Sequence, residues 1–428
     1  MSFVPNLPLM KTMNHLHLTG CLSFVCATLG AADWPQYRGP NHDGSSAEKI
    51  QQVWPKDGPP VVWKAALGPS FGSFAVSGGK AFCFIQRSVD GEDKEVAVAF
   101  DINTGKELWS VPLGKATYDQ QGGDGPRSTP TMNDQQIYFL NAYQILTYLK
   151  ANTNKQIWQH DLVSEYGGTI ISWKNAASPV MDGELIFVNA GGDGQALLAF
   201  SKADGKAAWK VENDKPTHSS PVPATIHGVR QVIFFTQKGL VSVVPQSGKV
   251  LWRYAYPFQV STASSPIVSG DVVYCSAAYN IGAGACRITK TGETFTATEL
   301  WRKKGDLMNH WTSPVCKDGY LYGIYGHGKM NGAPLKCVEI ATGKEMWSQP
   351  GFGGGGATVL VAGNVLVQSD RGPLVLIEAT PQSYKEIARC QVFGGQCWTM
   401  PVISNGRIYA RNTKEGVCLD VAVQSAAR

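Results

Sequence analysis

Seven residues of this sequence combine stacking faces with hydrogen-bonding groups, and each lies shortly before a predicted short strand. They are Arg127, Trp173, Asn175, His218, His310, Trp311 and Trp398. An arginine supplies a planar fork of donors, and indole rings supply stacking faces. If the fold brings these residues together, they form a binding site for a planar or anionic small molecule, with few acids for catalysis. The alternative is that they only plug a channel and cap strands.

Other chemistries find weaker support in the sequence. His218, His310 and His327 supply three imidazoles, a set that can hold a transition metal. Residues 68–72 match the string of a hydrolase nucleophile elbow, but a strand rather than a helix is predicted after them. Residues 323–329 come close to a phosphate-binding loop, but the required Ser or Thr does not follow. We therefore predict no catalytic residues and no metal ligands.

The composition limits the class of protein. The chain has 428 residues with 47 Gly, 12 Trp and 17% charged residues, which excludes a disordered or coiled-coil protein. Its net charge of +5 is small for this length, and it has no block of like charges. A nucleic-acid partner is therefore not expected.

The first 32 residues are typical of an export signal. They contain no acid and one lysine, Lys11, and the apolar run over 21–32 is too short to span a membrane. Gly30 and Ala32 are small residues suited to a cleavage site. The sequence therefore predicts a signal peptide over 1–32, no transmembrane segment, and a periplasmic or extracellular protein. A lipoprotein with Cys21 at its N-terminus is the alternative.

The elements that would position the seven residues come from a repeat. A turn followed by a tryptophan recurs, as in Asn103-Thr-Gly-Lys-Glu-Leu-Trp109, and in four of five such units a Gly stands four residues before the Trp. Tryptophans at 63, 109, 158, 209, 252, 301 and 347 are 43 to 51 residues apart. This period, with strand-like content, predicts the blades of a β-propeller.

Eight first strands can be counted, beginning near Phe74, Thr129, Ser178, Ser220, Ser265, Ser313, Ala357 and Thr399. The last repeat lacks a fourth strand. Residues 61–65 form a predicted strand that precedes the first repeat and belongs to none in chain order. We therefore predict an all-β, eight-bladed propeller of four-stranded antiparallel blades over 60–428, closed by this N-terminal strand. Residues 33–59 form a leader before it. The seven residues would then converge at one mouth of the central channel.

The cysteines suggest one disulfide. The sequence has ten Cys residues and no CxxC or adjacent Cys-Cys. Cys275 and Cys286 are symmetric about residues 280–281, so a simple hairpin places them opposite each other, near bridging distance. The alternative is two buried thiols.

The repeats resemble those of the pyrroloquinoline quinone (PQQ) enzyme superfamily, whose motif has Thr-Gly-Lys before a Trp. The leader segment Asp33-Trp-Pro-Gln-Tyr-Arg-Gly-Pro-Asn-His-Asp-Gly44 is similar to the mature start of secreted PQQ-like propellers. The resemblance implies one of two functions. Large members are calcium- and quinone-dependent dehydrogenases, and smaller members resemble a non-catalytic scaffold lipoprotein of outer-membrane barrel assembly.

The dehydrogenases carry a ring disulfide between adjacent cysteines, which this sequence lacks. The expected function is therefore an exported, non-catalytic, monomeric binding or scaffold module for an envelope protein or a small molecule, with no cofactor. A PQQ- and calcium-dependent alcohol or sugar dehydrogenase is the alternative.

Overall fold

A computed structural model describes residues 1–3, 33–119, 122–133, 135–305, 307–326 and 332–423. The predicted signal peptide, apart from residues 1–3, lies outside the described residues, as does His327. Within the described part of the chain, no helix is long and apolar enough to cross a membrane.

The first four blades each contain four strands that pair in chain order. Blade 1 has β3 (Ala75–Ser77), β4 (Lys80–Val89), β5 (Glu92–Asp101) and β6 (Glu107–Lys115); blade 2 has β7 (Thr131–Met132), β8 (Gln136–Leu140), β9 (Ile145–Lys150) and β10 (Gln156–Asp161), followed by helix α1 (Leu162–Tyr166). Blade 3 has β11 (Val180–Asp182), β12 (Leu185–Gly192), β13 (Gln195–Ser201) and β14 (Ala207–Val211); blade 4 has β15 (Val222–Ile226), β16 (Val229–Thr236), β17 (Gly239–Val243) and β18 (Val250–Ala255).

The remaining blades follow the same order, with additions from the N-terminal part of the chain. Blade 5 has β19 (Ile267–Ser269), β20 (Val272–Ala277), β21 (Gly282–Thr291) and β22 (Thr294–Lys303); blade 6 has β23 (Val315–Lys317), β24 (Tyr320–Ile324), β25 (Leu335–Glu339) and β26 (Glu345–Gln349). Blade 7 has β27 (Ala357–Val361), β28 (Asn364–Gln368), β29 (Pro373–Glu378) and β30 (Glu386–Gln391), and β1 (Ser45–Ser46) adds to β27 in parallel. Blade 8 has β31 (Val402–Ser404), β32 (Arg407–Arg411), β33 (Glu415–Asp420) and β2 (Val61–Ala66).

The predicted eight-bladed architecture and its closure are confirmed. Strand β2 pairs with β33 in antiparallel register, with Trp63 opposite Cys418. The indole N–H of Trp63 then donates to the carbonyl of Ile102 in blade 1, at 2.9 Å. The first strand of the ring therefore completes the last blade and locks it to the first.

The Gly–Trp repeat locks neighbouring blades together. The Trp301 ring of blade 5 packs on Gly343 in the turn of blade 6, where an added Cβ would lie 2.8 Å from the ring. Its Nε1–H donates to Ile340 O at 2.8 Å. Trp109 makes the equivalent hydrogen bond to Ala151 O at 3.0 Å. The glycine is required both for its positive φ and because the next ring occupies the space of a side chain.

The Ser/Thr-Pro signature has a separate role around the channel. Each hydroxyl oxygen accepts a hydrogen bond from a backbone N–H of the preceding blade. The N–H groups of Ser73, Thr129 and Ser178 donate to Thr129 Oγ1, Ser178 Oγ and Ser220 Oγ, each at 2.9 Å, and that of Ser265 donates to Ser313 Oγ at 2.7 Å. These bonds satisfy amide groups that no strand pairs, at the point where each innermost strand begins. We call this end of the channel the upper end.

The leader crosses the opposite, lower end of the channel, a position that the sequence did not predict. Trp34 bridges to Val76 of blade 1, Pro35 O accepts from Met132 N–H of blade 2, and β1 joins blade 7. Arg38 is 2% exposed, and its guanidinium donates to the carbonyls of His42, Asp43, Ser313 and Pro314. We call residues 34–50 the plug.

The predicted register of the Cys275–Cys286 hairpin is wrong, and the disulfide is not formed. Cys275 lies opposite Gly284 and Cys286 opposite Val273, because the connection is centred between residues 279 and 280. The two cysteines are therefore diagonal neighbours, about 7–8 Å apart in such a ladder. Both are buried free thiols.

Candidate functional site

A cavity of about 440 Å³ occupies the upper end of the channel. We call it the cup. It is lined by Tyr37, Phe71, Ser73, Gly122, Arg127, Thr129, Trp173, Ala176, Ser178, His218, Ser220, Val260, Ser261, Ala263, Tyr279, His310, Trp311, Thr312, Ser313, Ala357, Trp398 and Met400. Because Tyr37 belongs to the plug, the leader contributes to the wall of the cup from below.

The ring topology brings six of the seven predicted residues to the cup: Arg127, Trp173, His218, His310, Trp311 and Trp398. Asn175 does not line it. Its side chain is buried and donates from Nδ2 to the carbonyl of Ala177 at 2.9 Å. Asn175 therefore orders the loop before blade 3 rather than facing the cavity.

Aromatic rings follow one another around the mouth of the cup. The ring centroids are 5.6 Å apart for Phe71–Trp398, 4.0 Å for Trp398–Trp311, 4.7 Å for Trp311–His310, 5.2 Å for His310–Tyr279, 6.2 Å for Tyr279–Trp173 and 6.2 Å for Trp173–His218. These separations are those of interacting aromatic pairs. The wall is a nearly continuous arc contributed by several blades.

Three aromatics of the cup, Phe71, Tyr279 and Tyr37, are not among the seven predicted residues. Tyr279 lies in the turn between β20 and β21, and Tyr37 lies in the leader. A signal for Tyr279 existed, because the turns between second and third strands also lie at the upper end. No signal existed for Tyr37, since the leader is outside the repeat.

Two of the cup aromatics sit on strained backbone. Trp173 and Lys174 have φ of 62° and 64°, and Tyr279 and Asn280 have φ of 56° and 66°. Left-handed φ is uncommon for bulky residues and clusters at binding sites. In both turns the first residue of the pair places its ring in the cup.

Contrary to the prediction from the sequence, the guanidinium of Arg127 does not direct its N–H donors at a ligand. Its Nη1 and Nη2 donate to Gly125 O at 3.1 Å and Gly123 O at 2.8 Å, and Asp119 Oδ2 lies 3.6 Å from Nη2. Burial lowers the pKa of the guanidinium. The side chain therefore braces its own loop, and its charge is largely compensated inside the protein.

His218 is held in one tautomer. Because the carbonyl of Ser172 can only accept, Nε2 carries the proton and donates to it at 2.8 Å, while Ser261 Oγ–H donates to Nδ1 at 2.9 Å. Burial lowers the pKa of His218 to about 4, so the imidazole is neutral near pH 7. Both ring nitrogens are used within the protein.

The lining does not fit a calcium-bound quinone. Calcium prefers several carboxylate and carbonyl oxygens, and no Asp or Glu is among the described residues that line the cup. Among the described residues, no three His, Cys, Asp or Glu side chains are grouped to hold a metal ion. Of the possible histidine set, His218 and His310 line the cup, and His327 lies outside the described residues.

Eight four-stranded blades, the Gly–Trp lock and the Ser/Thr-Pro ring together define a propeller of the PQQ-repeat class. The family model described as outer membrane protein assembly factor BamB matches residues 92–330, more than half of the chain. The chain belongs to this family.

Curated relatives carry the same name. BamB of Moranella endobia (strain PCIT) is 26% identical over 262 residues, covering 57% of this chain and 62% of the relative. BamB of Yersinia pestis is 22% identical over 317 residues, covering 61% of this chain and 75% of the relative. The match thus spans less than two thirds of the Moranella protein.

Solved structures share the fold. BamB from Moraxella catarrhalis aligns with a TM-score of 0.59 at 14% identity, covering 86% of this chain and 99% of that chain. Quinohemoprotein alcohol dehydrogenase from Comamonas testosteroni aligns with a TM-score of 0.63 at 12% identity, covering 92% and 82%. A BamB protein and an alcohol dehydrogenase thus match about equally well, so the fold does not decide the function.

Proposed function

We propose that this protein is an exported, non-catalytic propeller that acts as a binding or scaffold module in the bacterial envelope, in the assembly of outer-membrane proteins. The observation that carries the proposal is membership of the BamB family over residues 92–330. In this proposal residues 1–32 are the signal peptide, 33–59 the leader and 60–428 the propeller. The mature protein is a monomer that binds an envelope protein.

The fold suits a scaffold because its loops are held in fixed relative positions. Neighbouring blades are joined by indole–glycine contacts, such as Trp301 on Gly343, and by hydrogen bonds to hydroxyl groups, such as Ser265 N–H to Ser313 Oγ. Binding residues on loops over such a rigid frame need little ordering when a partner docks.

The alternative, a PQQ-dependent oxidoreductase, is supported by fold similarity alone. The sequence has no adjacent cysteines, and the part of the cup wall that the structure describes has no acidic side chain. Because the residues present do not suit calcium and quinone, we do not assign this activity.

A gene deletion in the source bacterium tests the scaffold function. We expect lower amounts of β-barrel proteins in the outer-membrane fraction, restored by the wild-type gene. Affinity purification of the tagged protein from envelope extract should enrich outer-membrane assembly proteins, identified by mass spectrometry. Unchanged outer-membrane proteins, together with dye-linked alcohol oxidation after addition of PQQ and calcium, would contradict the proposal.

The same purification tests the location. Cleavage after Ala32 predicts a mature N-terminus at Asp33 in the periplasmic or extracellular fraction. A lipid-modified Cys21 in the membrane fraction would establish the lipoprotein alternative, and a full-length cytoplasmic protein would contradict export.

A further inference from the structure

The cup is a built cavity rather than a gap between loops. Glycines give its rings their space: an added Cβ on Gly355 would lie 2.0 Å from Trp398 Cδ1, and one on Gly123 would lie 2.6 Å from Phe71 Cζ. Side chains at these positions would push the rings from the wall. Together with the left-handed φ of Trp173 and Tyr279, this shows local backbone shaped around the aromatic rings.

The plug lies below the cup. It contacts blades 1, 2 and 7 at the lower end, its Arg38 reaches Ser313 at the start of the innermost strand of blade 6, and its Tyr37 lines the cavity. A molecule of limited size can therefore enter from the mouth and cannot pass through the channel. The volume of about 440 Å³ lies within the range of small-molecule pockets, roughly 300–1,000 Å³.

Three polar groups of the wall are already hydrogen-bonded within the protein. His218 uses both ring nitrogens, Arg127 bonds to two carbonyls of its own loop, and the indole N–H of Trp398 donates to Asp370. What the cup offers a ligand is therefore stacking area and not an unpaired charge. An ionised group in the cup would lose its hydration without gaining a counter-charge.

From these observations we infer that the cup binds an uncharged, planar, aromatic small molecule of two or three fused rings, stacked against the indole of Trp311 and the ring of Tyr279. Such a ligand matches the shape of the arc, the compensated charge and the volume. No reaction is assigned to the site. This binding function stands beside the scaffold function and does not depend on it.

Coumarin, which is neutral, planar and bicyclic, is a suitable probe. We expect saturable binding of coumarin to the full-length protein by calorimetry, with a rise in melting temperature. Camphor, a neutral bicycle that is not planar, and 1-naphthoate, a planar anion of similar size, should each bind about tenfold or more weakly. PQQ, a larger polyanion, should not bind.

Variants locate the binding. Trp311→Leu should weaken coumarin binding by about tenfold or more, because an indole stacking face is lost. The matched control is Trp54→Leu, the same change at a half-buried leader tryptophan outside the cup lining, which should leave binding unchanged. If Trp311→Leu does not fold, Tyr279→Leu, two rings further along the same aromatic arc, gives the same test.

Several results would overturn the inference. These are no saturable coumarin binding, equal binding by camphor, tighter binding by 1-naphthoate, or unchanged coumarin affinity in a folded cup variant. Binding of N-acetyltryptophanamide without coumarin would instead indicate a site for a protein side chain. Outer-membrane protein levels in cells carrying Trp311→Leu separate this result from the scaffold proposal, since they should stay normal.

Discussion

The two ends of the central channel are built from the same eight blades and differ in what covers them. At the lower end the plug crosses the channel, and from it Arg38 reaches up to donate to two carbonyls of the plug and to two at the start of blade 6. At the upper end aromatic rings surround a cavity of about 440 Å³. The contrast indicates that the lower end serves stability, whereas the upper end leaves a cavity between its aromatic rings.

Removing the leader and β2 together should destabilise the protein more than any other change proposed here. Deletion of residues 33–66 removes the plug and leaves the β33 edge unpaired in blade 8. Exposed strand edges pair with other chains, so we expect aggregation in size-exclusion chromatography. A truncated protein that stays monomeric and melts at the wild-type temperature would contradict closure by β2.

A single change in the plug should have the next largest effect. Arg38→Met leaves buried carbonyls of the plug and blade 6 without donors, and we expect a loss of about 2–4 kcal/mol in the free energy of unfolding by urea denaturation. Arg287→Met is the control, because Arg287 is half-exposed and its pair with Asp271 contributes at most about 1 kcal/mol. Equal losses in the two variants would show that the plug is not a stabilising element.

Low pH should destabilise the folded protein, because each end of the channel contains a buried neutral histidine. Burial lowers the pKa of His42 in the plug and of His218 in the cup to about 4, below the usual 6.5. The unfolded chain therefore binds more protons between pH 6.5 and 4, and stability falls as pH falls through this window, by up to about 1.4 kcal/mol per pH unit per site.

His42→Gln and His218→Gln separate the two contributions. Each should reduce the pH dependence of unfolding between pH 6.5 and 4 relative to the wild type. The comparison with the wild type is needed because Glu95, whose pKa is raised to about 7 by burial, acts in the opposite direction. A slope that neither variant changes would mean that these imidazoles are not buried in the folded protein.

The smallest stability effect is expected at the mouth. Trp311→Leu should change the free energy of unfolding by under about 1 kcal/mol, because the ring is only half-buried. Trp252→Leu in blade 4 removes a buried indole that donates to Gln231 Oε1 at 2.6 Å, and should lose about 3 kcal/mol. If Trp311→Leu destabilises as strongly, the mouth aromatics are structural and do not form a binding site.

Much of this arrangement could be predicted from the sequence because repetition fixes it. The period of the Trp residues defines the blades, and the residues before each first strand must meet at the upper end. Trp173, Trp311 and Trp398 lie in one wall because the closed ring of blades brings together the loops that carry them. Strand β2 could be assigned because the last blade lacked a fourth strand.

What the sequence could not predict lies outside the repeat or depends on a turn. The plug has no counterpart in the other blades, so nothing in its residues placed Tyr37 under the cup. The pairing of Cys275 with Cys286 failed because the turn between β20 and β21 is centred one residue earlier than the symmetric choice. The role of Arg127 as an anion fork could not be judged until its bonds to Gly123 and Gly125 were known.

A crystal soaked with 6-bromocoumarin shows where the ligand binds, since the anomalous signal of bromine locates the molecule without reference to its binding strength. We expect one bromine peak inside the cup, with the coumarin plane against Trp311 or Tyr279. A peak at the lower end among the plug residues, or bromine sites only on the outer surface of the blades, would show that the cup is not the binding site.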